Sequence, residues 1–224
     1  MCFSTEASFG AGAILTVVGI ATLRKTKSRS QLAFAAIPLI FGIQQFIEGF
    51  VWLSLSNADY AYLKQTPAYL FLIIAQVVWP IWIPLSMFLM EKEEKLKKFL
   101  AGLLAIGIIL SLCVIYNLTT YTILPEIMEH HIHYTLNIPS WMIPIGGFLY
   151  FLPTVISPFV SSVKRTNFLG MTILTSYLVS KLFFEQNVIS VWCFFAALMS
   201  VIVYVVIKDV PEHKPTKKSR SFRK

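Results

Sequence analysis

QLAFAAIPLIFGIQQFIEGFVWLSL, residues 31–55, decides the fold, because this long apolar stretch holds a single ionisable side chain, Glu48. A helix needs about 20 largely apolar residues to cross a hydrocarbon core, and its backbone groups must there be hydrogen-bonded internally. Six further runs of the same kind lie at 7–23, 67–90, 99–116, 141–162, 168–186 and 190–208. The expected fold is all-α: a polytopic bundle of seven transmembrane helices over residues 1–208, with a basic, disordered cytoplasmic tail at 209–224.

Composition agrees. Of 224 residues 56% are hydrophobic and 13% charged, with a mean hydropathy of +0.70, whereas soluble domains carry about 25% charged residues. So few charges cannot cover a water-facing surface. The formal charge of +8 does not point to nucleic acid, because the basic residues sit in short stretches between apolar runs and leave no room for a reading module. The expected partner is the lipid bilayer. Run 7–23 has no preceding basic region and ends in Lys/Arg-rich sequence, so it reads as a retained span, not a cleaved signal peptide. Cys2 follows no apolar stretch and is no lipid-anchor cysteine by sequence.

Orientation comes from the loops. Arg24, Lys25, Lys27 and Arg29 follow the first run, Lys92, Lys95, Lys97 and Lys98 the third, and Lys164 and Arg165 the fifth; seven more lie from Lys208 onward. Only Lys64 and Lys181 are left for the other side. Basic loops stay in the cytoplasm, so the N-terminus is expected outside and the C-terminus inside. Trp52, Tyr60 and Trp141 suit interfacial anchoring, and the tail suits anionic headgroups.

Two triplets of runs, 7–90 and 141–208, flank the lone fourth run and share one orientation. This 3+1+3 pattern is similar to the parallel repeat of SWEET-type transporters, with Lys25 to Ser28 and Pro38 set against Pro158 and Lys164 to Asn167; runs one and six lack the prolines of those transporters. A second resemblance is carried by strings along nearly the whole chain: Met1-Cys2-Phe3-Ser4, Gln44-Gln45 with Glu48-Gly49, His130-His131-Ile132 with Tyr134, and Val191-Trp192-Cys193-Phe194-Phe195-Ala196-Ala197. They resemble a family of bacterial multi-pass membrane proteins without an established activity. The resemblance implies a bacterial inner-membrane protein and transfers no catalytic residue.

Candidate chemistry lies in two places. Ionisable residues inside a span are costly and by default functional, so Gln44, Gln45 and Glu48, with Gln76 and Trp79 of the third run and Lys181 of the sixth, are the expected lining of a polar pocket open to the outside. Glu48 and Lys181 form its candidate ion pair. The competing reading is that these groups only join helices by hydrogen bonds. Pro80, Pro84, Pro144, Pro153 and Pro158 are expected to kink runs three and five.

The second place is the loop string from Glu126 to Tyr134. If helical, it sets Glu126, His130 and His133 at i, i+4 and i+7 on one face, a candidate site for a divalent metal or a pH-sensitive latch; solvated polar residues are the plain alternative. Cys2, Cys113 and Cys193 map to the outer side, where Cys2 and Cys193 could pair.

Run seven has no lysine for a retinal Schiff base. The clustering of His130, His131 and His133 in one loop argues against a multi-helix metallohydrolase site, and no Gly-x-Ser-x-Gly elbow occurs. Transport or permeation of a small solute leads. A ligand- or pH-responsive sensor or accessory protein comes second, and a metal-dependent membrane hydrolase third.

Overall fold

The computed structural model describes residues 4–128, 131–136, 138–183 and 195–209. Helices α1 (Thr5–Arg24), α2 (Arg29–Ser56), α3 (Gln65–Met90), α4 (Glu94–Thr120) and α5 (Met142–Val160) are each long and apolar enough to cross a membrane. They fall on the first five runs. Helices α6 (Thr166–Phe183) and α7 (Ala196–Asp209) fall on the last two; the rest of run seven, the tail from 210 and any Cys2–Cys193 bond lie outside the described residues.

Helices α1 and α2 form the closest pair, and small residues are the reason. Gly12 and Gly19 lie seven apart on α1, as do Gly42 and Gly49 on α2. A Cβ on Gly19 would come within 2.6 Å of the Leu39 backbone nitrogen, and one on Gly42 within 2.7 Å of Thr16 Oγ1. Without side chains at these points the two backbones approach closely, the usual packing device between helices that lipid already solvates.

Two of the proline-bearing helices widen into π turns, before Pro80 and at Pro153, while the backbone stays α-helical at Pro84 and Pro144. In α3 a π-helical segment, Ile73–Val78, runs up to Trp79-Pro80, and in α5 another, Leu152–Ile156, contains Pro153 and precedes Pro158. Proline has no N–H to give and its ring pushes away the carbonyl one turn before it. Carbonyls of this turn find side-chain donors instead: the Tyr150 hydroxyl of α5 donates to Ala75 O at 2.8 Å, and the Ser111 hydroxyl of α4 to Val77 O at 2.8 Å. Gly107 of α4 seats the kink, since a Cβ there would lie 2.0 Å from Pro80 O.

Helix α4 begins five residues earlier than its apolar run, at Glu94. Its 27 residues span about 40 Å at 1.5 Å per residue, more than the thickness of a hydrocarbon core, and Lys95, Lys97 and Lys98 lie in its first two turns. Lys97 lies 5.2 Å above the Phe88 ring.

The loop between α4 and α5 is a β-hairpin, and this corrects the helical arrangement of Glu126, His130 and His133. Strands β1 (Ile123–Met128) and β2 (His131–Leu136) pair antiparallel with Glu126 opposite His133 and Met128 opposite His131. Alternation at period two explains it: Ile123, Pro125, Ile132 and Tyr134 share a face and are buried, whereas a helix would scatter them. That face covers Val51, Trp52, Ala68 and Phe71 at one end of α2 and α3, with Tyr134 stacked on Phe71 at 5.2 Å and 12°.

The opposite end gathers the basic turns. Trp82 Nε1 donates to Ala33 O at 2.8 Å, Glu91 takes hydrogen bonds from Ser161 and Ser162, and Arg165 pairs with Asp209. These contacts tie α3 to the start of α2, the α3–α4 turn to the α5–α6 turn, and the α5–α6 turn to the end of α7.

Candidate functional site

Two apolar clusters divide the bundle. One, near the basic end, includes Phe41, Trp79, Ile83 and Met87; the other, under the hairpin, includes Val51, Trp52, Phe71 and Ala75. Between Phe41 and Val51, α2 presents Gln44, Gln45 and Glu48, which are 1%, 1% and 0% exposed. A polar layer thus crosses the bundle at the level where one cluster gives way to the other.

Its hydrogen bonds follow from donor and acceptor chemistry. Tryptophan only donates, so Gln44 turns its carbonyl to Trp79, whose Nε1 donates to Oε1 at 2.8 Å. Trp79 is held in place by Phe41, with ring centroids 4.2 Å apart. Gln45 turns its amide nitrogen to Glu48, and Nε2 donates to Oε2 at 2.8 Å. That choice leaves Gln45 Oε1 buried with no hydrogen-bond partner among the described residues. Trp52 Nε1, seven residues further along the same helical stripe, is in the same condition. A buried polar atom left unsatisfied costs about 1–3 kcal/mol.

Four of the six expected pocket residues therefore come together: Gln44, Gln45, Glu48 and Trp79. Gln76 is only half-buried and lies in the π turn. Lys181 is in α6, but its side chain lies outside the described residues, and with it the Glu48–Lys181 pair. Gln44, Gln45, Glu48 and Trp79 are all buried among the described residues.

The hairpin brings Glu126 opposite His133 across the strands, while His130 lies outside the described residues. Glu126 is exposed and His133 half-buried, and His131, on the same face by register, is buried. Among the described residues no group of three or more His, Cys, Asp or Glu side chains is placed to hold a metal ion. Cys113, on α4, is a free thiol on the exposed surface.

One acid escaped the sequence reading. Glu91, 3% exposed at the end of α3, accepts at Oε1 from Lys92 N (2.8 Å), Glu93 N (3.0 Å) and the Ser162 hydroxyl (2.6 Å), and at Oε2 from Ser162 N (2.7 Å) and the Ser161 hydroxyl (3.2 Å). Burial alone would push its carboxyl up; the hydrogen bonds from Ser162, Glu93 and Lys92 outweigh that and hold it down at about 2. Its signal in the sequence was faint, an acid among the lysines of Glu91-Lys92-Glu93-Glu94-Lys95 with a Ser-Ser pair seventy residues on.

Helices long and apolar enough to cross a bilayer, a buried polar layer within them and basic turns at one end are the make-up of an integral membrane protein of the helical class. Residues 1–219 match the family of unknown function DUF6629, and the chain belongs to that family. Neither the curated proteins nor the solved structures contain a match to the chain.

Proposed function

We propose that the protein is a seven-span protein of a bacterial inner membrane, with its basic turns in the cytoplasm and its hairpin outside, that binds a small polar solute at the layer of Gln44, Gln45, Glu48 and Trp79 and carries it across. The observation that carries this reading is Glu48: a carboxyl fully withdrawn from solvent in an apolar helix, flanked by a buried carbonyl and a buried indole N–H that both lack partners among the described residues. A site that must accept and release a polar ligand has a use for such an arrangement. The adjacent π turns support it, since such turns concentrate at functional sites.

The test is uptake of radiolabelled small solutes, neutral, anionic and cationic in turn, into proteoliposomes. At least one class is expected to enter, and Glu48→Gln is expected to reduce its rate by tenfold or more while the protein elutes as a single species; undiminished uptake removes Glu48 from the mechanism. Binding of a solute without flux favours the sensor or accessory reading instead.

A further inference from the structure

The turn at residues 161–165 is bound to two other elements at once. Ser161 and Ser162 give Glu91 three of its five hydrogen bonds, which fixes the turn to the end of α3. Arg165, at φ 71° in the left-handed region that side chains avoid, reaches Asp209 at the end of α7. Glu91 also folds its own chain: by accepting from Lys92 and Glu93 it closes the three-residue turn into α4. Both carboxylate oxygens are thereby occupied.

The helices joined here are the two that contain π turns. They meet a second time in mid-helix, where the Tyr150 hydroxyl reaches Ala75 O inside the π turn of α3. Between these two ties lie Met87, on the face of Glu91 one turn further in, and Val155 of α5; both belong to the apolar cluster and are 0% and 1% exposed. A π turn between prolines is a place where a helix bends at little cost.

We infer that Glu91 and the turn at 161–165 form a latch that holds the basic end of the bundle shut, and that its release lets α3 and α5 part there by bending at their π turns. The inference stands on these contacts whether or not a solute is carried.

The experiment is thiol labelling in nanodiscs, which expose both ends of the bundle. Cys2, Cys113 and Cys193 are replaced by serine, Met87→Cys reports on the latched end, and in a separate protein Ala68→Cys, a fully buried position under the hairpin, reports on the other. A membrane-impermeant maleimide is the probe. Met87→Cys is expected to label slowly while the latch is intact and about tenfold faster with Glu91→Gln or Ser162→Ala, the change that loss of one charge-assisted hydrogen bond gives. Ala68→Cys should stay slow in both backgrounds. An unchanged rate at Met87→Cys in the variants, fast labelling with the latch intact, or equal acceleration at both ends each overturns the inference. If Glu91→Gln does not yield monodisperse protein, Ser162→Ala, which leaves Glu91 its backbone donors, decides alone.

Discussion

Glu48 and Glu91 are both withdrawn from solvent, one inside an apolar helix and the other at a helix end. Around Glu91 three backbone N–H groups and two hydroxyls converge, so the charged form is the comfortable one and its carboxyl sits at about 2 in place of 4.5. A carboxyl whose folded value is depressed contributes stability above its unfolded value and loses it as pH falls through the folded one. Here the window runs from about 4.5 down to about 2, and at 1.4 kcal/mol per unit the contribution is roughly 3 kcal/mol. Thermal unfolding in detergent should therefore show a midpoint that drops steeply below pH 4.5, with a visibly shallower drop in Glu91→Gln; parallel curves would mean that Glu91 is not the titrating group. Glu48 accepts from the Gln45 amide and lies in an apolar helix, which is why it was conspicuous in the sequence while Glu91 was not. A lone acid in an apolar run declares itself; an acid in a charged turn does so only once its partners, seventy residues away, are placed.

At the level of elements, the apolar runs located the helices, because helices in lipid are selected by hydrophobic length and little else. The hairpin was misread because the helical spacing of Glu126, His130 and His133 drew attention from the apolar alternation of Ile123, Pro125, Ile132 and Tyr134, and it is the buried face, not the polar one, that chooses between strand and helix. The π turns were half legible: prolines announced a disturbance, but its form depends on Ser111 and Tyr150 arriving from other helices. The glycines carry a prediction of their own. Gly107→Ala would drive a methyl group into Pro80 O and should lower the unfolding midpoint by several degrees, on the scale of the 1–3 kcal/mol that overpacking costs. Gly102→Ala, with nothing within 4 Å of the new Cβ, should leave it unchanged or raise it slightly; equal effects would show that the close contact with the proline kink is not what Gly107 is for.

The whole molecule is a bundle with two unlike ends. Basic turns bound to one another by Glu91 and Arg165 make one end, and a hairpin resting on aromatic side chains makes the other. The sidedness proposed for these ends is checked by single cysteines in a background without native ones: Asp59→Cys, in the turn between α2 and α3, should react with an impermeant maleimide added to intact bacterial cells, and Lys164→Cys only after permeabilisation. The reverse pattern would invert the topology. The 3+1+3 pattern draws no support from the kinks, since the two π turns fall in the third and fifth helices, which a parallel repeat does not pair.

The close pairing of α1 and α2 has a consequence for the order in which the protein is made. Everything that joins these two helices, Gly12 against Phe46, Gly19 against Leu39, Gly42 against Thr16 and Gly49 against Phe9, has been synthesised by residue 56, so the pair can close as soon as its second member enters the bilayer. At that moment Gln45 and Glu48 already have each other, three residues apart on one helix, while the Trp79 indole joins Gln44 only when α3 follows. The indole N–H that settles against Gln44 both adds to the polar layer and docks the helix that carries the first π turn.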